Sequence, residues 1–549
     1  MKTYKVHSSY HADENSVIDV IKIADLVDIN KYPLEKAWIN TGGWQSWNPA
    51  YEIAPSTKQP SLKCRLIKGW HKYLVFPETQ YLYSKHIVLA QFITYLRWNN
   101  FYLVFVSTGN ISKTLPPVQF VINRIKNTVT IEIADKGNNW NSGDITAEIE
   151  VFTSNSFFEC REKLTEIFGK NHFNKISALG KNPGGWESWY NHYSRIDEKL
   201  ILEDLNALSE TKNIISMGQY SSKIFQIDDG WETALGDWSV RKERFPSGLN
   251  SLAEKIEADG YIPGLWIAPF IIDSRSKTAK EHPDWLLKDS KGKLVCAGYN
   301  PLWGKNGNFY CLDLSIDEVI EYLDMLLDTL INKWFFRYIK LDFLYAGMLY
   351  GNYKNPTAAY KIYNRAIKTI TAHTKNDKGK DVFYLGCGMP FEPSFKYLPL
   401  SRIGCDTYEH WKNKFGRLIN WNGRNEAYLN LKDTLGHAMW NEIIFANDPD
   451  VIFIRNKNCS LSENQKKLIA FTNEMFGSQL MYSDDPALSA SESEVALAGK
   501  IIDFRKKYGN EEFGITNISE DLYKLFSKSG KYTGHIDLKT MEVKINEDI

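Results

Sequence analysis

No stretch of this 549-residue chain is apolar for long enough to span a bilayer. Its first residues, Met1-Lys2-Thr3-Tyr4-Lys5-Val6-His7, carry neither an apolar core nor a cleavage site of the secretory type. A cytoplasmic location with no membrane partner is therefore expected. The seven cysteines are scattered, odd in number and free of any C-x-x-C pair, which argues against a disulfide framework and structural zinc and for reduced thiols. Net charge is also missing, with 66 basic and 66 acidic residues, so nothing electrostatic favours a nucleic-acid partner or an anionic membrane. No internal repeat or low-complexity tract is evident.

What is present describes a chain able to bury a large core. Hydrophobic residues make up 43% and charged residues 24%, and the length calls for more than one domain. Aromatic content is 14%, with 17 tryptophans. Indole faces pack well on the C–H surface of a pyranose, although a large aromatic core explains the count as readily.

Residues 1 to 170 read as an N-terminal β-sandwich. Alternating, β-branched runs such as Tyr102 to Val106, Val118 to Ile122, Thr128 to Ile133 and Ala147 to Phe152 are punctuated by turns, as at Asp135 to Asn139. Within this region, Gly42-Gly43-Trp44-Gln45-Ser46-Trp47-Asn48-Pro49 reads as a loop, and taken alone a tryptophan-rich loop is a packing feature. From 171 to 475 short apolar strands alternate with helix-patterned segments such as Glu318 to Leu330 and Ala358 to Thr371, the signature of βα units. Eight strands are expected, at 185–189, 223–229, 262–268, 337–343, 382–387, 401–406, 437–440 and 450–455. They make a central (β/α)8 TIM-type barrel the economical solution. Residues 476 to 549 then supply a helix and a small C-terminal β-domain.

The strand Arg337-Tyr338-Ile339-Lys340-Leu341-Asp342-Phe343 organises the rest. Tyr338, Lys340 and Asp342 are two apart, so a strand turns all three to one face, and burying a lysine and an aspartate is costly unless they meet a polar pocket. A second carboxylate, Asp406, ends the strand Ser401-Arg402-Ile403-Gly404-Cys405-Asp406. Asp228, Asp229, Trp266 and Cys387 lie at the ends of other strands, and Arg402 shares the strand of Asp406. In this fold the C-terminal rim carries the chemistry, and two carboxylates on one rim are the minimal equipment for glycoside hydrolysis. Asp342 beside Lys340 suits a nucleophile, and Asp406 a general acid and base with a raised pKa. The Asp228-Asp229 pair suits two neighbouring sugar hydroxyls. A metal is the other use of paired aspartates, but no H-x-H, H-E-x-x-H or EF-hand spacing stands near them.

These residues resemble glycoside hydrolase family 36 α-galactosidases, in particular the compact bacterial and archaeal type. The likeness rests on Ser188-Trp189-Tyr190, Phe225-Gln226-Ile227-Asp228-Asp229, Pro263 to Phe270, Tyr310 to Ser315, Lys340-Leu341-Asp342-Phe343, Leu385-Gly386-Cys387-Gly388, Arg402 to Thr407, Asn447-Asp448-Pro449-Asp450 and the Gln45-Ser46-Trp47 loop. It implies a retaining reaction with Asp342 as nucleophile and Asp406 as acid/base, acting on a small-molecule α-galactoside without a cofactor or metal. It implies Asp228 and Asp229 on the 4- and 6-hydroxyls, Lys340 on the 3- and 4-hydroxyls, and Arg402 and Cys387 near the 2-hydroxyl. Trp189 and Trp266 would wall the pocket, and Trp47 would close it from the sandwich. Family members often form homo-oligomers. Departures at Met389-Pro390 and Cys405 fall near the 2-substituent, which leaves an α-N-acetylgalactosaminide as an alternative substrate. A galactosyl-transferring relative and a non-catalytic carbohydrate-binding protein on the same scaffold are the remaining readings.

Overall fold

The computed structural model describes residues 3–10, 17–60, 84–133, 145–169, 176–300, 303, 307–419, 425–486 and 491–547. The turn expected at 135–139 lies outside them. Among the described residues no helix is long and apolar enough to cross a membrane.

The alternation of strand Phe101–Ser107 explains the N-terminal architecture. Leu103 and Phe105 point into a cluster shared with Phe120, Ile122, Val129 and Ile131, while Tyr102, Val104 and Val106 point the other way into the main core of the molecule. A strand buried on both faces reads as a continuous apolar run, which this one does. It belongs to an antiparallel sheet of six strands, ordered Thr3–Tyr10, Ile145–Ser154, Phe101–Ser107, Ile93–Trp98, Trp38–Asn40 and Glu52–Ile53. A second antiparallel sheet of Val17–Lys22, Thr128–Ile133, Val118–Asn123 and Ile87–Gln91 covers its outer face.

The middle of the chain forms a curled, wholly parallel sheet. Its order is Ala446–Asp448, Leu400–Arg402, Phe383–Gly386, Tyr338–Leu341, Ile262–Ile267, Lys223–Ile227, Gly184–Glu187, Leu480–Tyr482 and Val451–Ile452. The first and last pieces of that order are successive halves of one segment, separated only by Pro449-Asp450. Two strand assignments change. The segment 437–440 is not a strand but a 3-10 turn, Ala438–Trp440, continuing the helix Ala427–Gly436. Leu480–Tyr482, beyond residue 475, pairs instead with Gly184–Glu187 and Val451–Ile452. Amphipathic helices pack around the sheet; Ala359–Ile370, for example, buries Tyr360, Ile362, Tyr363, Ala366, Ile367 and Ile370 on one side. The chain ends in a four-stranded antiparallel meander, Phe513–Asn517, Leu522–Ser527, Tyr532–Asp537 and Glu542–Glu547.

The tryptophan-rich loop is sewn to the loop that follows strand Phe383–Gly386. Gly42 and Gly43, at φ 66° and 76°, turn the chain out of its sheet. Ser46 N then donates to Met389 O at 3.1 Å, Met389 N to Ser46 Oγ at 2.9 Å, and Phe391 N to Trp44 O at 2.9 Å. Behind the loop, Asn40 Nδ2 donates to the carbonyls of Ala50 and Gly436, each at 3.3 Å. Gly436 leaves no room for a side chain, since a Cβ there would sit 1.9 Å from Ala50 O. Gly436→Ala is therefore expected to destabilise the protein by about 1–3 kcal/mol, the usual range for overpacking, read as a lower calorimetric melting temperature. A variant melting with the wild type would show that this seam is soft.

Candidate active site

Strand Tyr338–Leu341 shows how the site is assembled. Tyr338, Lys340 and Asp342 alternate to one side, inside the curl of the sheet, and all three are buried. At the inner level the Tyr338 hydroxyl donates to Gln479 Oε1 at 3.1 Å. One step outward, Lys340 Nζ donates to Asp228 Oδ2 at 2.8 Å. Asp342 then opens onto a cleft of about 450 Å³.

Both oxygens of Asp342 act as acceptors, from Phe343 N at 2.7 Å and from Trp266 Nε1 at 3.0 Å. The first bond comes with Phe343 in the left-handed region at φ 54°, a conformation that costs an aromatic residue about 1–3 kcal/mol and survives only where its surroundings impose it. Phe343 packs against Trp47, Trp303 and Phe309 at ring separations of 5.2, 5.2 and 5.1 Å.

Asp228 accepts from Lys340, from Gln226 Nε2 at 2.8 Å and from Asp229 N at 2.9 Å. Burial alone would push the Lys340 ammonium down. The charge of Asp228 outweighs it and holds Lys340 well above the usual lysine range. Asp229 accepts from Trp303 Nε1 at 2.7 Å and is hydrogen-bonded to Glu232. Burial raises both carboxyls of that pair, and the bond to Asp229 raises Glu232 further while lowering Asp229.

Arg402 stands opposite, with Nε on Asp448 Oδ2 at 2.9 Å, Nη2 on Asp450 Oδ1 at 2.7 Å and Nη1 on Asp406 Oδ1 at 3.3 Å. Asp450 also accepts from the Tyr190 hydroxyl at 2.6 Å and from Thr407 N at 2.8 Å. Asp406 is therefore the outermost and least firmly held carboxyl of the group, its side chain 32% exposed to the cleft. Withdrawal from bulk water first, then repulsion from Asp450, push Asp406 up to about 7 against the attraction of Arg402 and Lys340. The two rim carboxyls thus occupy different environments. Asp342 has donors on both oxygens, whereas Asp406 sits in a crowd of like charge.

All the site residues expected from the sequence line this cleft except Cys387. Cys387 is buried at 1% exposure, its backbone N donating to Leu341 O at 2.8 Å. It lies behind the wall, where burial and then the charge of Asp342 raise its thiol well above the usual range. The cleft also includes residues to which sequence reasoning gave no role: Tyr193, Trp303, Phe343, Tyr345, Tyr408, Asn413, Asn425 and Asp450. Asp450 belongs to the motif Asn447-Asp448-Pro449-Asp450, and Glu187 and Glu232 stand one and three positions from other motif residues. The setting of Trp303, Asn300-Pro301-Leu302-Trp303-Gly304-Lys305-Asn306-Gly307, carries no strand or helix period. Among the described residues no group of three or more His, Cys, Asp or Glu side chains is arranged to hold a metal ion.

Comparison with known proteins adds three findings. Residues 186–359 match the Melibiase family. A 146-residue segment is 29% identical to the α-galactosidase Mel36A of Lactobacillus acidophilus, covering 25% of this chain and 18% of that one. Across such curated relatives the matched segments span between 16% and 30% of the relative's own length. In fold, the α-galactosidase TtGalA of Thermus thermophilus, solved with stachyose, superposes with a TM-score of 0.67 at 25% identity, over 86% of this chain and 90% of that one. The family 36 α-galactosidase AgaA of Geobacillus stearothermophilus superposes at 0.59 and 14% identity, over 92% of this chain and 67% of that one. In sequence across residues 186–359, and in fold along most of its length, the chain is related to the α-galactosidases of glycoside hydrolase family 36.

Proposed function

We propose that the protein is a retaining α-galactosidase that hydrolyses terminal non-reducing α-D-galactosides of small oligosaccharides by double displacement. The observation that carries this reading is the pairing of Asp342 and Asp406 in one cleft under opposite conditions. Asp342 accepts bonds on both oxygens, while Asp406 is pushed up to about 7. That is the division of labour between a nucleophile and an acid.

In the first step an Asp342 oxygen attacks the anomeric carbon while Asp406 gives its proton to the departing glycosidic oxygen. The C–O bond breaks and a galactosyl ester forms on Asp342. In the second step Asp406, now a carboxylate, takes a proton from water, whose oxygen attacks the same carbon and frees Asp342. Two inversions give net retention. Asp228 and Asp229, oriented by Lys340, Gln226 and Trp303, accept from the 4- and 6-hydroxyls. Lys340 donates to the 3- and 4-hydroxyls, and Arg402 borders the 2-hydroxyl. Trp47, Trp189 and Trp266 give the ring apolar walls. The N-acetylated alternative depended on room around Cys387 and Met389. Both are buried and neither lines the cleft, which favours the plain galactoside, although Cys405, the other departure, does line it.

Three coarser readings accompany this one. The parallel sheet is a closed (β/α)8 barrel, supported by the 446–452 segment pairing at both ends of the strand order. A β-sandwich over residues 1–170 precedes it, and a small β-domain follows Leu480–Tyr482. The location is cytoplasmic.

Two measurements test the assignment. With azide present, Asp342→Ala should yield the inverted β-galactosyl azide and Asp406→Ala the retained α-galactosyl azide. Asp342→Ala turnover above about 1% of wild type without azide would remove the nucleophile role. In the wild type, the proton that Asp406 must donate is lost as pH rises through about 7. kcat/KM on a substrate with a poor leaving group should therefore fall on that side, and Asp406→Asn should abolish the limb. A rate still rising past pH 8 would contradict the acid role.

A further inference from the structure

Asp229 accepts from a sugar hydroxyl in the reading above, on which the functional half of this inference rests. The structure places a second carboxyl against it. The chain bends sharply at Gly230, at φ 121°, where a Cβ would lie 2.6 Å from Ser194 O. That bend returns Glu232, three residues after Asp229, to its neighbour. Glu232 Oε2 accepts from Gly230 N at 3.2 Å, and its carboxyl is hydrogen-bonded to that of Asp229. Trp231 between them is wholly buried, its Nε1 donating to Trp266 O at 3.0 Å. Asp229 and Glu232 are themselves only 2% and 4% exposed.

A hydrogen bond between two carboxyls needs a hydrogen, and ionised carboxylates are acceptors only. Two full negative charges in contact out of water would also repel each other unless a cation stood between them. The cations nearby are engaged elsewhere. Asp229 and Trp303 line the cleft and also a second cavity of about 230 Å³, which Glu232, Arg241 and Arg244 line as well. Both arginines turn to backbone carbonyls, Arg241 Nε to Glu232 O at 2.6 Å and Arg244 Nη1 to Ser194 O at 2.7 Å. Lys340 is paired with Asp228 at 2.8 Å. Asp273, in the same cavity, is paired with Arg275 at 2.7 Å. On Asp229 a further donor is the neutral Trp303 Nε1, at 2.7 Å. Burial, which raises both carboxyls, acts in the same direction.

We propose that Asp229 and Glu232 share one proton, and that Glu232 is the positioning residue that, through this bond, holds the Asp229 carboxyl toward the hydroxyls of the bound galactose. Reading of those hydroxyls then depends on a residue that does not itself line the cleft.

Infrared spectra test the proton without reference to activity. The wild type minus Glu232→Gln difference at neutral pH should contain the C=O stretch of a protonated carboxyl, shifted in heavy water. A difference containing carboxylate bands alone overturns the shared proton. Positioning is read from kcat/KM for an α-galactoside divided by kcat/KM for the same glycoside lacking its 4- or its 6-hydroxyl. Glu232→Met, which keeps the length but cannot donate, should lower at least one of these ratios about tenfold or more, roughly the worth of a hydrogen bond to a charged group. Glu232→Gln, which keeps a donor, should restore it. Glu232→Ala, read the same way, takes the place of Glu232→Met if that variant does not fold. Ratios that stay unchanged without the donor, or that fall equally in Glu232→Gln, overturn the positioning role. A wild type that cleaves no α-galactoside overturns the galactosidase reading and the positioning role with it, while the infrared band decides the proton by itself.

Discussion

The buried pair of Lys340 and Asp228, at 2.8 Å and almost wholly out of water, is the constraint on which the site depends. Two desolvated charges in contact cost more to bury than they return unless their remaining bonds are satisfied. On the aspartate side they are, by Gln226 and Asp229 N. Arg402, with Asp448 and Asp450, repeats the solution across the cleft. Carboxyl groups nevertheless outnumber the two cations, and the surplus has a consequence. Burial and like-charge repulsion outweigh the cations at the remaining carboxyls, and Glu187, Glu232 and Asp406 are all raised. Of these only Asp406 lies open enough to pass its proton to something in the cleft. The acid of the proposed mechanism is thus a product of the whole charge arrangement, and a change to Asp450 or Arg402 acts on it as well.

Much of this was legible in the sequence, for a physical reason. A charged residue at the end of an apolar strand contradicts its surroundings unless it faces a polar site. Lys340, Asp342, Asp228, Asp229, Arg402 and Asp406 announced themselves by that contradiction, and all line the cleft. Cys387 carried no such signal. A cysteine is at home in a core, and the structure leaves it there. The seventh strand was misplaced because its sequence hides it. Pro449-Asp450 breaks 446–452 into two short pieces, while Ala438–Trp440 is apolar enough to imitate a strand. Tyr193, Trp303 and Tyr408 were illegible because they sit outside regular elements, where neither period applies.

The loop carrying Trp47 shows what local reading cannot supply. By itself it is a surface loop with two tryptophans, and packing is the ordinary explanation. Only the assembled chain brings the carbonyl of Met389 to Ser46 N and the ring of Phe343 to Trp47. These contacts come from the far side of the sequence. The same strand alternation that gives Phe101–Ser107 two buried faces brings the N-terminal sheets close enough for the loop to reach the cleft.

That arrangement bears on how the two ends of the cleft differ. The end around Asp228 and Asp229 is built on strand termini of the parallel sheet and held by buried ion pairs, so its geometry is as stiff as the sheet. The end around Tyr193 and Tyr408 is built on connecting segments, where a ring can be exchanged without disturbing a ladder of hydrogen bonds. Its tyrosines are nevertheless held in costly left-handed conformations, and Tyr193 is tied through Glu409 and Arg455 to the segment after strand Val451–Ile452. The two ends of the cleft therefore rest on different kinds of structure, one on strand ends of the sheet and one on the segments that connect them.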